Sequence, residues 1–435
     1  MARRQHYHPL RVLLNNQLVG SLQKESGGGI HFQYGEAWLH KKNAIPVSLS
    51  LPLREEVFRG EPVVAVFENL LPDSEALRRK IAGKVGAKGT DAYSLLHSIG
   101  RDCVGALQFV PDTDETEYDS SHITGEPLEE AAIEEMLLNL TQAPLGLNQE
   151  DSFRISVAGA QEKTALLRHD GQWLKPSGPT PTSHIFKTAM GHLPNGIDLS
   201  HSVENEYYCV KLLEAFELPV CQVEIHRFGN TSALVVERFD RLLTADGRLL
   251  RLPQEDCCQA LSVLPNQKYQ NEGGPGMTEI MNLLKGSDTP EADLRTFLKA
   301  QILFWLIAGT DGHAKNFSIF LRPGGSFKLT PLYDVLSAQP SLHRHQITKQ
   351  QLKLAMSVRK NRHYRLDVIR GRHFIQTAEK AGIPGTFARE ALDEIGSLAP
   401  VAMKRLEETN PSGTISELHE IVRHGIESRL GWLQE

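Results

Sequence analysis

A polar loop, Thr310-Asp-Gly-His-Ala-Lys-Asn316, follows a long apolar stretch and constrains this chain more than any other feature. Asp311 precedes Asn316 by five positions, and Asp334 ends a second turn, Pro331-Leu-Tyr-Asp334. An aspartate, an amide and a later aspartate in this order form the side-chain set of a phosphoryl-transfer site. The run 327–330 is expected to be a short strand that returns Asp334 to the loop. An Asp-Gly pair is most often only a turn, so that alternative stays open.

The loop departs from the usual protein-kinase pattern in two places. Gly309-Thr310 stands where His-Arg precedes the catalytic aspartate, and Tyr333-Asp-Val335 replaces the Asp-Phe-Gly triplet. The order of the three polar groups is nevertheless that of a kinase. This part of the chain therefore favours a divergent kinase over a typical one.

Two lysines provide candidates for binding nucleotide phosphates. The first lies in Ser156-Val-Ala-Gly-Ala-Gln-Glu-Lys-Thr164, whose small residues allow a backbone to approach a phosphate closely. Glu162 occupies the position where a Walker A loop requires glycine, so a P-loop NTPase is disfavoured. Lys187 ends the alternating run 182–186 and matches the kinase strand lysine. A small-residue turn and an ordinary strand-end lysine are the simpler alternatives.

Seven motifs together resemble the HipA family of serine/threonine kinase toxins, in particular its founding enterobacterial member. Three of them are the segments 156–164, 310–316 and 331–334 described above. The other four are Asn69-Leu-Leu-Pro-Asp73, Ile99-Gly-Arg-Asp102, Val236-Glu-Arg-Phe-Asp240 and Leu252-Pro-Gln-Glu-Asp256. The resemblance covers most of the chain with similar order and spacing. It implies an α+β, divergent protein-kinase-like fold with a strand-rich N-terminal domain, a nucleotide-binding lobe and a helical C-terminal lobe.

The resemblance also implies roles for individual residues. Asp311 corresponds to the catalytic aspartate, Asn316 and Asp334 to the Mg²⁺ ligands, and Ser156 to an inhibitory autophosphorylation site. Glu237-Arg-Phe239 corresponds to the hinge that hydrogen-bonds adenine. The full set of implied ATP-binding residues is Ala158, Gly159, Ala160, Gln161, Glu162, Lys163, Lys187, Glu237, Arg238, Phe239, His313, Ala314, Lys315, Asn316, Tyr333 and Asp334.

Partners are implied in the same way. Family members phosphorylate protein serine or threonine, and their best-known target is glutamyl-tRNA synthetase, an aminoacyl-tRNA synthetase. The resemblance thus implies inhibited translation, growth arrest and persistence. A small helix-turn-helix antitoxin, HipB, neutralises such toxins and recruits them to operator DNA as co-repressors.

At 435 residues the chain exceeds the size at which a single core stops growing. We expect a strand-rich N-terminal domain over 1–111, a connection with a helical segment over 112–150, a nucleotide-binding lobe over 151–265 and a helical lobe over 266–435. The helical lobe carries the catalytic and metal-binding residues. Asn15-Asn16 predicts a hairpin turn in the first domain, and Asn271-Glu-Gly-Gly-Pro-Gly276 predicts a flexible loop that is either a substrate contact or a simple connection. One helical stripe is predicted from Leu294, Leu298, Gln301, Ile302 and Trp305.

Charge and cysteine content limit the function classes. The net charge of −6 argues against general polyanion binding. A basic run over 359–372 is either a DNA contact beside the antitoxin or a solvated helix face. The five cysteines lack metal-ligand spacing, which predicts reduced thiols in the cytoplasm. No signal peptide or membrane span is expected, and hence no membrane partner.

Two other function classes remain. The Asp, Asn and Asp set also suits a small-molecule kinase of the aminoglycoside-phosphotransferase type, which would need a closed acidic pocket. A catalytically quiet, DNA-bound co-repressor is the second alternative. Neutralising the aspartates would stop a kinase and leave a co-repressor unharmed.

Overall fold

The structure, a computed structural model, describes residues 7–114, 123–147, 155–159, 161–359, 363–409 and 413–435. The chain divides into two compact units. The first contains the residues up to Thr188 together with His226–Asn266 and Ile319–Phe327. The second contains Ala189–Ile225, Gln267–Ser318 and Lys328–Glu435.

Strands in the described residues are numbered in chain order. They are β1 Leu10–Leu14, β2 Gln17–Lys24, β3 Ile30–Tyr34, β4 Phe58–Arg59, β5 Leu107–Pro111, β6 Gly125–Pro127, β7 Lys163–His169, β8 Gln172–Pro176, β9 His184–Lys187, β10 Gly191–His192, β11 Asp198–Leu199, β12 Val223–Phe228, β13 Thr231–Glu237, β14 Arg241–Leu243, β15 Leu249–Arg251, β16 Gln254–Asp256, β17 Ser318–Leu321, β18 Phe327–Leu329, β19 Lys353–Val358 and β20 His363–Arg365.

The α-helices are numbered in the same way. They are α1 Glu36–Leu39, α2 Glu61–Glu68, α3 Glu75–Val85, α4 Ala92–Ile99, α5 Glu130–Leu138, α6 Ser202–Ala215, α7 Cys257–Ala260, α8 Met277–Leu284, α9 Pro290–Ile307, α10 Gln339–His343, α11 Gly371–Lys380, α12 Gly385–Thr409 and α13 Thr414–Leu430.

The first unit begins with an antiparallel five-stranded sheet in the order β4-β3-β2-β1-β5. The predicted hairpin turn at Asn15 and Asn16 joins β1 to β2, and the φ angles of these residues are 46° and 63°. Asparagine tolerates this left-handed conformation, which matches the twist of a hairpin. Side chains of the sheet and of α2–α4, such as Phe32 and Phe67, form one buried core.

A six-stranded sheet in the order β12-β13-β9-β7-β8-β6 forms the second sheet of this unit. The stretch expected to be a connection supplies its edge strand β6 and the helix α5. Ile133 and Leu137 of α5 pack on Leu166, Phe186 and other buried side chains of the sheet. The sheet therefore holds β7 and β9, which carry the two candidate phosphate-binding lysines, as direct neighbours.

Asp102 lies at the centre of a buried ion-pair network in the first unit. Its carboxylate accepts hydrogen bonds of 2.9 Å from both Arg241 and Arg251, and one of 2.7 Å from the Thr182 hydroxyl. Arg238 is bound by Asp240 at 2.9 Å and lies 3.4 Å from Asp102. Burial alone would raise the pKa of Asp102, but the three guanidinium groups hold it well below the usual aspartate range.

The second unit is mainly helical, and α9 forms its centre. Proline at the first position and the early acids Glu291 and Asp293 suit the start of this helix. The predicted apolar stripe of α9 is buried, including Trp305, whose indole N–H donates to the Leu366 carbonyl at 3.0 Å. Arg429 of α13 donates to the Leu306 carbonyl at 2.7 Å, which satisfies a backbone acceptor at the end of α9.

Two expectations from composition can be compared with the structure. All five cysteines are buried and none is in a disulfide. Within the described ranges, no helix is both long and apolar enough to cross a bilayer.

We predict that Asp102→Asn destabilises the protein by about 3–5 kcal/mol, because it leaves buried arginines without their counter-charge. The free energy of unfolding from urea titration measures this. Asp246→Asn is the control, since Asp246 pairs with Arg248 on an exposed hairpin and its substitution should leave the stability nearly unchanged. Equal effects of the two substitutions would contradict a central role for Asp102.

Glu255 is a second buried acid with an unusual environment. Its Oε1 accepts the Leu49 N–H at 2.7 Å, whereas its buried Oε2 has no hydrogen-bond partner among the described residues. Burial raises the pKa of Glu255 to about 8. The carboxyl is therefore protonated at neutral pH.

This raised pKa predicts a pH dependence of stability. The contribution of neutral Glu255 is complete below the ordinary glutamate pKa of about 4.3 and is lost as the pH rises through about 8. Glu255→Gln stays neutral, so its melting temperature should increasingly exceed that of the wild type from pH 6 to pH 9. Exposed Glu56→Gln is the control and should show a constant difference over this range.

Candidate active site

The loop that carries Asp311 begins where α9 ends. Ala308 adopts a left-handed conformation with φ 56°, and the Gly309 N–H donates to the Phe304 carbonyl at 2.7 Å. The loop then passes directly over Phe304: a Cβ at Gly312 would lie 2.4 Å from a ring carbon. A side chain at position 312 would force the Phe304 ring to move, so glycine permits this close approach.

Asp311 presents an accessible carboxylate, with 60% of its side chain exposed. The hydroxyl of Tyr269 donates a hydrogen bond to Oδ1 of Asp311. The Tyr269 ring packs edge-on against buried His313, with ring centroids 4.9 Å apart. An exposed carboxylate already bound to a hydroxyl is well placed to accept a proton from a hydroxyl substrate.

Asn316 and Asp334 lie together, as the sequence predicts. The Asn316 Nδ2 is 3.2 Å from the Asp334 carbonyl oxygen and 3.4 Å from its Oδ2. Asn316 Oδ1 is buried and has no hydrogen-bond partner among the described residues. Asp334 has φ +60°, a costly conformation for aspartate that recurs at functional sites.

This pair suits Mg²⁺. The orphaned Asn316 Oδ1 and the Asp334 carboxylate are hard oxygen donors, and Mg²⁺ commonly takes one or two protein oxygens and fills its remaining positions with water and phosphate. No group of three or more His, Cys, Asp or Glu that could hold a metal occurs in the described part of the chain.

The turn before Asp334 is fixed by backbone contacts. The Leu332 N–H donates to the Pro219 carbonyl at 2.8 Å, and the Tyr333 hydroxyl donates to the Lys315 carbonyl at 2.7 Å. Ala314 and Lys315 are buried in the short 3₁₀ turn that presents Asn316. These contacts hold the two predicted metal ligands at a defined separation.

Lys163 and Lys187 lie in the first unit as directly opposed residues on β7 and β9. Both are buried, with 7% and 6% of their surfaces exposed. Lys163 Nζ donates to the Ala158 carbonyl at 2.8 Å, and a Cβ at Gly159 would lie 2.6 Å from that nitrogen. Two buried ammonium groups on adjacent strands form a site suited to a polyanion such as a triphosphate.

The small-residue loop is held by earlier parts of the chain. Ser156 is fully buried: its N–H donates to the Asp102 carbonyl at 2.9 Å and its hydroxyl to the Leu70 carbonyl at 2.7 Å. The Asp73 N–H donates to the Gly159 carbonyl at 3.2 Å. Two of the motifs singled out in the sequence therefore position this loop.

The remaining predicted nucleotide residues have varied surroundings. Gln161 donates to the Thr188 carbonyl at 2.9 Å, and Glu162 accepts from the exposed Thr141 hydroxyl at 2.9 Å. Ala160 lies outside the described residues. Glu237 is exposed at the end of β13, and the Phe239 ring packs edge-on against Phe320 at 5.8 Å. The Arg238 side chain belongs to the Asp102 network, and its backbone N–H donates to the Ser183 carbonyl at 2.9 Å, so neither of these donors is free to bind adenine.

Part of the basic run is neutralised within the second unit. Arg365 binds Asp367 through two hydrogen bonds, and Arg370 binds Glu435 at 2.7 Å. Lys360 and Arg362 lie outside the described residues. These pairings weaken the interpretation of 359–372 as a continuous DNA contact.

Sequence reasoning missed Tyr269. It lies 42 positions before Asp311, and only the glycine-rich segment Asn271-Glu-Gly-Gly-Pro-Gly276 next to it pointed to this loop. A tyrosine within a polar loop is a weak signal, since its partner depends on the fold.

Two family models, one for each end of HipA proteins, match the chain. Residues 10–110 match the HipA N-terminal domain, and residues 155–403 match the HipA-like C-terminal domain. The chain is 38% identical over 339 residues to Y4mE of Sinorhizobium fredii, which covers 77% of this chain and 78% of that protein. It is 27% identical over 365 residues to the serine/threonine-protein kinase toxin HipA of Shewanella oneidensis, and the match covers 80% of this chain and 78% of that protein.

A solved structure gives the same result for the fold. HipA of Shewanella oneidensis, in complex with HipB and its operator DNA, superposes with a TM-score of 0.80 over 98% of each chain at 22% identity. The predicted α+β, divergent kinase-like fold is confirmed. The particular likeness to the enterobacterial member stays a prediction.

We predict that Lys163→Met and Lys187→Met each weaken MgATP binding about ten- to hundredfold, because each removes a charge-assisted contact to phosphate. Isothermal titration calorimetry measures the dissociation constant. Lys84→Met, at an exposed position of α3, is the matched control and should bind as the wild type does. Unchanged affinity in folded Lys163 and Lys187 variants would exclude them from the phosphate site.

Proposed function

The chain belongs to the HipA family of serine/threonine kinases, and we propose that it is the kinase toxin of a toxin–antitoxin pair. It transfers phosphate from ATP to a protein serine or threonine. The observation that carries this proposal is the loop in which exposed Asp311 precedes Asn316. The side chain of Asn316 contacts Asp334, and its buried Oδ1 has no hydrogen-bond partner among the described residues.

Each group then has a chemical task. Asp311 accepts the proton of the attacking hydroxyl, and Lys163 and Lys187 neutralise the nucleotide phosphates. Asn316 and Asp334 would hold Mg²⁺, which offsets charge on the phosphates during transfer. Catalysis of this kind is mostly positioning and electrostatic stabilisation, so these few groups supply most of what the reaction needs.

The exposure of Asp311 favours a protein acceptor over a small molecule. A small-molecule kinase encloses its substrate, whereas 60% of the Asp311 side chain is exposed. An aminoacyl-tRNA synthetase of the glutamyl type is the proposed target, and its modification would stop translation in the cytoplasm. The solved relative is bound to HipB and operator DNA, which supports a helix-turn-helix antitoxin and a co-repressor role here.

Ser156 is the proposed site of self-inhibition. It is fully buried and held by Asp102 and Leu70, so its hydroxyl becomes available only when the loop leaves these contacts. A phosphate adds about −1.5 to −2 charges and cannot be accommodated there. Phosphorylation would therefore keep the loop away from its nucleotide-binding position.

Intact-mass spectrometry after incubation with ATP and Mg²⁺ tests this proposal. We expect one added phosphate on the wild type and none on Asp311→Asn or Ser156→Ala. The Ser156→Ala chain should still phosphorylate a protein target, whereas Asp311→Asn should lose at least about a thousandfold in rate.

A wild-type chain that binds ATP, starts unmodified and gains no phosphate would exclude autophosphorylation. If it also modified no protein in an aminoacyl-tRNA synthetase mixture, the protein-kinase proposal would fail. Phosphate transfer to an aminoglycoside would then support the small-molecule alternative, and antitoxin-dependent DNA binding without any transfer would support the quiet co-repressor.

A further inference from the structure

A cavity of about 740 Å³ lies within the second unit, in a part of it that the proposed chemistry does not use. Its walls come from α10, from the segment that follows α10, and from the later part of α13 with Trp432. Asp311, Asn316 and Asp334 are not among its lining residues. The phosphoryl transfer described above therefore gives this cavity no role.

Arg429 gives the first indication of what the cavity binds. This lining residue is only 7% exposed, and its hydrogen-bond partners are neutral. Its Nε and Nη2 donate to the Leu306 carbonyl at 3.1 and 2.7 Å, and Nη2 also donates to Oε1 of Gln339 at 3.2 Å. Among the described residues, Nη1 has no hydrogen-bond partner and the guanidinium pairs with no carboxylate.

A buried charge of this kind calls for a counter-ion. Burial lowers the pKa of Arg429 to about 10, so the guanidinium still carries its charge at neutral pH. Keeping an unpaired charge out of water costs free energy, and an anion that entered the cavity would offset that cost. The two N–H groups of Nη1 are the donors that such an anion would use.

The two acids that line the cavity do not supply this counter-charge. Asp367 accepts two hydrogen bonds from Arg365, and Glu420 accepts one from Arg423. Neither of these arginines lines the cavity, so each acid is neutralised from outside it. Lys349, an exposed lining residue, adds a second positive charge. The cavity thus has an excess of positive charge.

The other lining residues indicate the remainder of the ligand. Imidazole groups, which can hydrogen-bond to oxygen atoms, come from His343, His345 and His424. Apolar surface comes from Leu342, Leu352, Leu366, Ile421 and Trp432. The Arg370 guanidinium lies 4.0 Å from the centroid of the Trp432 ring and holds the indole in place. An apolar wall beside a cationic one suits a molecule that has both a ring and an anionic group.

We propose that this cavity is a binding site for a small organic phosphate, with the phosphate at Arg429 and an apolar ring against Trp432. A phosphate monoester carries about −1.5 to −2 charges and three acceptor oxygens, so it engages both cations and the imidazoles together. A carboxylate has a single charge and leaves part of these donors unused. The volume is within the range of about 300–1,000 Å³ that is usual for small-molecule sites.

Isothermal titration calorimetry with naphthyl phosphate tests the site, because this probe joins a flat ring to a phosphate. The titrations are made with and without saturating MgADP, which occupies the nucleotide site. With MgADP present, we expect one probe molecule to bind per chain. Its affinity should exceed that of inorganic phosphate, which has no ring, and of naphthoate, which has fewer acceptors, at least about tenfold.

Ser428→Asp places a negative charge in the cavity wall at an exposed position of α13, so the core is not disturbed. The like charge should weaken the binding of naphthyl phosphate at least about tenfold. Ser397→Asp is the matched control. Ser397 is exposed on α12, and its hydroxyl donates to a carbonyl of its own helix, as that of Ser428 does. It does not line the cavity, so this variant should bind the probe as the wild type does.

Arg429→Gln removes the buried charge and should weaken probe binding about ten- to hundredfold. Arg429 also holds the Leu306 carbonyl, so circular dichroism must first show that this variant is folded. If it is not folded, the decision rests on the comparison of Ser428→Asp with Ser397→Asp.

Three results would overturn the proposal. The first is no saturable binding of naphthyl phosphate, or equal affinities of Ser428→Asp and Ser397→Asp for it. The second is tighter binding of naphthoate, which would assign the cavity to carboxylates, such as the C-terminus of a peptide. The third is binding that saturating MgADP abolishes, which would place the probe at the nucleotide site. None of these results changes the kinase proposal, whose tests concern Asp311 and Ser156.

Discussion

Asp102 is the residue on which the arrangement of the first unit depends. Its carboxylate is shared by Arg241 and Arg251, which lie 139 and 149 positions later, and its backbone carbonyl accepts the N–H of Ser156. One residue therefore joins the N-terminal sheet region, the hairpin after β13 and the start of the small-residue loop at Ser156. Taking these charges out of water is costly, and only the completed network compensates for it. The loop geometry is consequently coupled to the folding of the whole unit.

The two units carry chemically different groups. The first offers buried cations, Lys163 and Lys187, on adjacent strands of a sheet. The second offers oxygen donors, Asn316 and Asp334, on tight turns at the end of a buried helix and strand. Rigid sheets suit a fixed phosphate, whereas turns can expose a base such as Asp311 to solvent and substrate. The lysines thus lie on rigid strands, and the oxygen donors and the proposed base lie on turns, as their proposed roles require.

Local patterns predicted a large part of this structure. The Asn15-Asn16 hairpin, the strand over 327–329 and the buried stripe of α9 follow from turn chemistry and periodicity. The pairing of Asn316 with Asp334 followed from motif order. The Asp102 network and the Tyr269 contact could not be predicted, because their partners lie 42 to 149 positions apart and depend on tertiary packing. The burial of Ser156 escaped prediction for the same reason.

That burial has a kinetic consequence. If Ser156 is the modified residue, the rate of self-inactivation equals the fraction of molecules with an open loop multiplied by the rate of transfer in that state. The loop contacts with Asp102 and Leu70 set this fraction, and each 1.4 kcal/mol in opening free energy changes it about tenfold. The hydrogen bonds of Ser156 would then set the active lifetime of the enzyme, and substitutions within the first unit would change it.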